Sequence, residues 1–395
     1  MAGGLAPVVM KFGGTSVEDA AALMRLAGIV ADRQAERPVV VVSAMAKVTD
    51  RLTELTQLAL AGKLTAARGL IAGLRERHFE ALRELGGGEV AEAALLNLLR
   101  ELEDLAGGIA AVGELTDRTR GAVLAFGERL SPWLAQTALG ARGLSAQIVD
   151  ARQVIITDDQ YTQAQPQWPE SQRQCEERVE PVLASGTVPV LGGFIGATRA
   201  GVGTTLGRGG SDYSAAILGA LLAARRIEIW TDVDGMLTAD PRVCAGARRI
   251  KAISFSEAAE LAYFGAKVLH PATLLPAMQK GIPVWVLNSR APLPGPPDGV
   301  RTGTLITTRA PRTTAPFKCI SCKRNVAVVD VVSTRMLQAY GFLKAIWEVF
   351  AKFRCPVDMV STSEVSVSLT VSDAGSLPEI ADELGRFADV RYEGR

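Results

Sequence analysis

"VVMKFGGTSVEDAAALM", residues 8–24, sets a β-like apolar run against a helical pattern, with a lysine, two glycines and two hydroxyls between them. Val8, Val9 and Met10 have the character of a short buried strand, and residues 17–31, with Val17, Ala20, Ala21, Leu23, Met24 and Ala27, that of an amphipathic helix. Glycine lets backbone N–H groups come close to a ligand, and a helix N-terminus adds partial positive charge. The turn at Gly13 and Gly14 therefore suits an anion, most naturally a phosphate. Ser16 is placed to cap the helix and Asp19 to complete a capping box. Lys11 precedes the glycines, which separates the turn from a Walker A loop. An ordinary strand-to-helix turn with a solvated lysine would look the same over these residues alone.

The strand character of the opening is repeated further on. Residues 38–44, "PVVVVSA", form a continuous β-branched run of the kind buried on both faces of a sheet, and residues 147–150, 188–191, 227–231 and 284–287 are further such runs. Helix-like segments separate them, which predicts an α/β fold: a three-layer, doubly wound, mostly parallel sheet whose ligands bind beyond the carboxyl ends of the strands. Residues 51–140, rich in Leu, Ala, Arg and Glu, predict a helical lobe on that sheet, interrupted at Gly86–Gly88 and again at Gly107-Gly108. Residues 291–316 are dense in Pro, Gly and Thr and mark a domain edge. The expected division is a first domain over 1–310, a linker over 311–325 and a second domain over 326–395. In that last part strands at 326–332, 357–361 and 365–371, helices at 341–353 and 377–387, and the start of a strand at Val390 give a ferredoxin-like order.

Composition narrows the function. The 395 residues carry 43 basic and 42 acidic side chains, a formal charge of +1 that argues against nucleic acid or a membrane surface as an electrostatic partner. Any anion site must be local. Cys175, Cys244, Cys319, Cys322 and Cys355 are scattered and odd in number, which suggests reduced thiols and a cytoplasmic protein. Cys319 and Cys322 form a C-x-x-C without a second pair, so no metal site is assigned.

Further motifs could carry chemistry. "TTLGRGGSDYSAA", 204–216, supplies a second anion-suited turn with Arg208, Gly209, Gly210, Ser211 and Asp212 before a helix. Asp212 is open to three roles: holding Lys11, organising Mg²⁺ through water, or capping the helix. "IWTDVDGMLTADPR", 229–242, places Thr231, Asp232 and Arg242 in a loop after a strand, suited to a base, ribose and phosphate. "FGAKVLHPATL", 264–274, offers Lys267 as a phosphate ligand and His270 as a structural histidine; "AFGERLSPWL", 125–134, puts Glu128 at a helix start; "VVSAMAKVTDRL", 41–52, presents Ser43 and Thr49 after a strand.

KFGGTSV, VSA with Thr49-Asp50, FGERLS, GFIGA, TTLGRGGSDYSAA, TDVDG with ADPR, and FGAKVLHP, in this order, resemble the aspartate kinases of the amino-acid kinase family. The tail "GFLKAIWEVFAKFRCPVDMVSTSEVSVSLT" is similar to the ACT regulatory region of the lysine-sensitive branch. The resemblance implies transfer of phosphoryl from ATP, with Mg²⁺, to the side-chain carboxylate of L-aspartate, in lysine, threonine and methionine biosynthesis. Motif by motif it implies that Lys11 stabilises the transferring group along a path lined by Gly13, Gly14, Thr15 and Ser16, and that Asp212 orients Lys11. Glu128 pairs with the substrate ammonium; Arg208 takes its α-carboxylate, helped by Gly209, Gly210, Ser211 and Thr49, and Ser43 also binds the substrate. Thr231 and Asp232 hold the nucleoside, and Arg242 and Lys267 the phosphates. Leu237 stands where the family often has a tyrosine against the nucleotide. In the tail, lysine contacts map to Met336, Gly341, Phe342, Leu343, Val357, Asp358, Thr362, Ser363 and Glu364.

A carboxylate nucleophile, whose ordinary pKa is about 3.9, is already ionised at neutral pH, so the implied reaction needs no general base. Its demand is positive charge and positioning, which Lys11, Arg208 and Lys267 would supply. Family regulatory regions carry two ACT units, whereas this chain stops at "FADVRYEGR", so the regulatory part is expected to be incomplete, and its unpaired edges favour a homodimer or larger homo-oligomer. Two rivals stand beside this reading: a kinase of the same fold for another acid, and an amino-acid-sensing protein with an inactive kinase lobe.

Overall fold

The computed structural model describes residues 5–263, 274–291, 303–311, 317–336, 340–372 and 375–393, the side chains of Tyr263 and Arg335 excepted. Two compact units make up the chain, Met1–Ser321 and Cys322–Arg395.

The first unit begins with β1 (Val8–Phe12), α1 (Ala20–Ala31) and β2 (Pro38–Val42), and continues into the helices α2 (Val48–Leu60), α3 (Leu64–Glu84), α4 (Glu89–Val112), α5 (Asp117–Leu124) and α6 (Phe126–Ala141). There follow β3 (Ala146–Ile148), β4 (Ile156–Thr157), α7 (Trp168–Arg178), α8 (Glu180–Ala184), β5 (Val188–Gly192), β6 (Ile195–Thr198), β7 (Gly203–Thr205), α9 (Gly210–Leu221) and β8 (Arg226–Thr231). The unit ends with β9 (Ala252–Ser254), α10 (Phe255–Tyr263), α11 (Leu275–Lys280), β10 (Val284–Asn288) and β11 (Gly303–Thr307). Among the described residues eight strands form the main sheet in the order β3-β5-β2-β1-β8-β10-β11-β9, and only the β10–β11 pairing is antiparallel.

The continuous apolar runs are explained by what covers each face. Val8, Met10, Phe12, Val40 and Val42 join one core with Leu23 and Leu26 of α1, Leu52 of α2, Leu74 of α3, Leu99 of α4 and Leu134 of α6. Their neighbours Val9, Val39 and Val41 join the opposite core with Cys175 of α7, Ile217 and Leu218 of α9, and Leu261 of α10. Side chains alternate across a strand, so a strand between two helical layers must be apolar at every position. The three-layer expectation holds. Register aligns the carboxyl ends at the centre: Phe12 lies opposite Val42 of β2 and Trp230 of β8, and Asn288 of β10 opposite Thr231.

Two local expectations are corrected. Ser16 does not cap α1; residues Gly14–Ser16 form a short 3₁₀ turn, and Asp19 is the N-cap, its Oδ1 accepting from the Ala22 N–H at 2.7 Å. Nor do Gly107 and Gly108 end a helix: α4 runs through them, because Leu102, Ala106 and Ile109 of the same helix bury into the first core and outweigh the poor propensity of glycine.

The second unit orders β12 (Ala327–Val332), α12 (Phe342–Lys352), β13 (Val357–Thr362), β14 (Ser366–Val371), α13 (Leu377–Leu384) and β15 (Asp389–Glu393) into an antiparallel sheet β13-β14-β12-β15. Val329, Val331, Leu369, Ile346, Phe350, Ile380 and Leu384 form its core. This is the ferredoxin-like order read from the sequence. The last strand, expected only to begin at Val390, pairs with β12 over all five of its residues.

Gly108 is exposed inside α4, and open space lies where its Cβ would stand. Gly108→Ala is expected to raise stability by about 0.5–1 kcal/mol, visible in thermal unfolding as a higher midpoint.

Candidate active site

Lys11 is the fourth residue of β1, and Asp212 lies in the first turn of α9; their side chains meet at 2.6 Å, each about one-tenth exposed. Asp212 makes no capping bond, and the N-cap of α9 is Gly209 in the left-handed conformation, φ +71°. Of its three possible roles, holding Lys11 is the one the geometry supports.

Around this pair opens a cavity of about 440 Å³ at the carboxyl end of the sheet, lined by Lys11, Gly14, Ser43, Thr49, Glu128 and Arg208–Asp212 among others. Segments distant in sequence are bonded into its walls. Ser43 N–H donates to Phe12 O at 3.0 Å, Ala46 N–H to Gly14 O at 3.0 Å, and Gly193 N–H to Val42 O at 2.8 Å. Contacts here leave no room for larger residues: a Cβ on Gly193 would stand 2.7 Å from that of Ser211.

Glu128 carries the clearest chemical signature. Its side chain is 4 % exposed, and Oε2 is buried without a hydrogen-bond partner among the described residues. Burial pushes its carboxyl up to about 8, against the pull of the Ala44 and Glu128 backbone N–H groups and the charge of Lys11. A buried carboxylate in that condition is costly unless a cation completes it. An ammonium group in the cavity would do so.

The Gly13–Ser16 turn, whose Gly14 lines the cavity, is also bonded on the other side of β1. Gly13 N–H donates to Trp230 O at 2.9 Å, Ser16 and Ser289 share a hydroxyl hydrogen bond of 2.8 Å, and Ser289 N–H donates to Thr231 O at 2.8 Å. The turn is thus tied to the ends of β8 and β10, where Thr231 Oγ1 donates to Asp232 Oδ1 at 3.2 Å. Leu237 is half-buried in the following loop and bridges to Arg249. Arg242 is exposed and bound to Asp240 of its own loop at 2.7 Å; it does not line the cavity. Lys267 lies outside the described residues. Met45, Ala46, Lys47, Asp50 and Phe194 also line the cavity and were not singled out from the sequence; a non-glycine left-handed backbone at Lys47 and Phe194 marks two of them.

In the second unit Met336, Phe342 and Val357 pack against the core, while Gly341, Leu343, Thr362, Ser363 and Glu364 are exposed. Asp358, another residue to which a lysine contact maps, is engaged by Lys323 Nζ at 2.8 Å and Ser372 Oγ at 2.5 Å.

The amino acid kinase family model matches residues 6–288. The chain belongs to the aspartokinases of that family. It is 38% identical to the chloroplastic aspartokinase 3 of Arabidopsis thaliana, covering 97% of this chain and 69% of that one, and 39% identical to the lysine-sensitive aspartokinase 3 of Escherichia coli (strain K12), covering 93% and 79%. Among solved structures, E. coli aspartokinase III in complex with aspartate and ADP, in the R-state, matches with a TM-score of 0.84 at 36% identity, over 98% of this chain and 85% of that one. The T-state complex of the same enzyme with lysine and aspartate matches with a TM-score of 0.78.

Because the folded state raises the Glu128 pKa, its contribution to stability is fully present below about pH 4.5 and is lost as pH rises through about 8. Glu128→Gln removes that loss. Scanning calorimetry across pH 5–9 should show the variant melting several degrees above wild type at the alkaline end and converging with it toward pH 5.

Proposed function

We propose that the chain transfers the γ-phosphoryl group of ATP to the side-chain carboxylate of L-aspartate, giving 4-phospho-L-aspartate and ADP, at the entry to lysine, threonine and methionine biosynthesis. The observation that carries this is the buried, unpartnered Oε2 of Glu128 sharing one cavity with Arg208 and the Lys11–Asp212 pair. An α-amino acid presents an ammonium and a carboxylate a few bonds apart, and Glu128 and Arg208 offer their complements. Ser43, Thr49 and the Gly209–Ser211 turn supply hydrogen-bonding groups beside them. The side-chain carboxylate of aspartate is then turned toward Lys11.

That carboxylate is ionised at neutral pH and attacks without a general base. The chain's task is to hold two anions together. Lys11, aimed by Asp212, meets the negative charge that spreads over the transferring phosphoryl group. Donor phosphates would run over Gly13–Ser16 toward Thr231 and Asp232, with Leu237 against the nucleoside and Arg242 and Lys267 as outer cations. Among the described residues no group of three or more His, Cys, Asp or Glu side chains is placed to hold a metal ion. Mg²⁺ would come carried by the nucleotide phosphates. Bound there, Mg²⁺ would neutralise phosphate charge.

The ferredoxin-like unit is read as a lysine-responsive ACT module, with Gly341–Leu343 and Thr362–Glu364 as its effector contacts. No described helix is long and apolar enough to cross a membrane. A cytoplasmic enzyme acting as a homodimer or larger homo-oligomer completes the proposal.

Incubation with ATP, Mg²⁺, hydroxylamine and a panel of amino acids tests it. Hydroxamate should form with L-aspartate and be suppressed by lysine but not threonine; product from another acid, or from none, contradicts the reading. Lys11→Ala should lower the rate on the order of 10²-fold or more, and near-normal turnover would remove Lys11 from its role.

A further inference from the structure

The acceptor cavity holds one more cation than the proposed chemistry uses. Lys47 lines it and is exposed at its rim. Lys11 is paired with Asp212 at 2.6 Å and is assigned to the phosphoryl group, so the lining cations left to anchor the acceptor are Arg208 and Lys47, neither of which has an acidic partner among the described residues.

Backbone geometry shows that Lys47 is held in a special position. Its φ of +66° and ψ of 3° place it in the left-handed region at the N-cap of α2, where glycine would be relaxed and lysine is strained. Residues on either side enforce this. Ala46 N–H is bonded to Gly14 O at 3.0 Å, Ala46 O accepts from Arg77 Nη1 of α3 at 2.6 Å, and Val48 N–H donates to Met45 O at 3.0 Å. Arg77 reaches further: its Nη2 donates to Glu18 O at 2.9 Å, so one guanidinium clamps the loop after β2 to the segment following the glycine turn.

Topology decides what Lys47 faces. It follows β2, and β2 and β8 flank β1 on opposite sides. The glycine turn is bonded on both sides, to Trp230 O and Ser289 toward β8 and β10 and through Gly14 O to Ala46, whereas Lys47 lines the cavity with Ser43, Thr49 and Glu128. We propose that Lys47 is a further substrate-binding residue whose ammonium holds a carboxylate of the amino-acid acceptor at the rim of the cavity, with Arg77 as the positioning residue that keeps it there. This rests on the reading of the cavity as the acceptor site. An acceptor whose α-carboxylate meets Arg208 and Lys47 and whose ammonium meets Glu128 leaves its side-chain carboxylate to turn toward Lys11.

Steady-state kinetics of the full chain, with L-aspartate and ATP varied separately, tests the proposal in Lys47→Ala, Lys47→Gly and Lys47→Arg. The KM for aspartate should rise roughly tenfold in the Ala and Gly variants, as for a lost charge-assisted contact, and stay near wild type in the Arg variant, with the KM for ATP unchanged in all. Lys47→Gly should melt above Lys47→Ala, since only glycine relieves the left-handed backbone. Arg77→Lys should raise the aspartate KM in the same direction without moving that for ATP. An unchanged aspartate KM in Lys47→Ala, or a rise confined to ATP, overturns the assignment. Failure of the wild-type chain to form hydroxamate from aspartate would instead overturn the underlying acceptor reading.

Discussion

The ion pair between Lys11 and Asp212 joins the two glycine-rich turns of the chain, which lie about two hundred residues apart in sequence. Two charges taken mostly out of water are tolerated only where each satisfies the other. The requirement fixes the end of β1 against the start of α9, and with it the floor of the cavity. Truncating either partner would leave the other buried and uncompensated, so the pair constrains the site even before any ligand arrives. The left-handed Gly209 and the close approach of Gly193 to Ser211 are the backbone concessions that let α9 start where Asp212 can reach.

Sheet order turns that constraint into a division of labour. On one side of β1, the ends of β2 and β5 and the start of α6 bring in Ser43, Thr49 and Glu128; on the other, the ends of β8 and β10 receive the glycine turn through Trp230 O and the Ser16–Ser289 bond. A second chain of contacts steadies the centre: Trp230 stacks on Phe12 with ring centroids 6.1 Å apart, and its Nε1–H donates to the buried Glu228 at 3.2 Å. His78, whose pKa burial drives down to about 4, is locked to Leu74 O within the helical lobe and belongs to packing.

Strands were legible in the amino-acid sequence because burial on both faces disfavours alternation, and β1 and β2 are apolar at nearly every position, while β8 buries Arg226 and Glu228 as an ion pair among its apolar residues. The order of those strands was not legible, since it depends on partners that no local pattern records. Ser16 shows the same limit at a single residue: its hydroxyl is as good a cap as the Asp19 carboxylate by type, and its use was settled by Ser289, 273 residues away. Gly107 and Gly108 misled for the opposite reason, local propensity being overruled by the apolar stripe of α4. Lys11, Glu128 and Arg208 could be named through ordered motifs resembling a family, while Lys47 could not, because nothing about a lysine announces a left-handed backbone.

The central claim is that the Glu128 carboxylate, whose buried Oε2 has no hydrogen-bond partner among the described residues, is completed by the ammonium of the acceptor. A crystal structure of the full chain with L-aspartate and ADP tests it most directly. The account predicts the aspartate ammonium within about 3 Å of Glu128 Oε2, its α-carboxylate on Arg208 and its side-chain carboxylate turned toward Lys11. Aspartate bound outside this cavity, or with its ammonium directed away from Glu128, would contradict it.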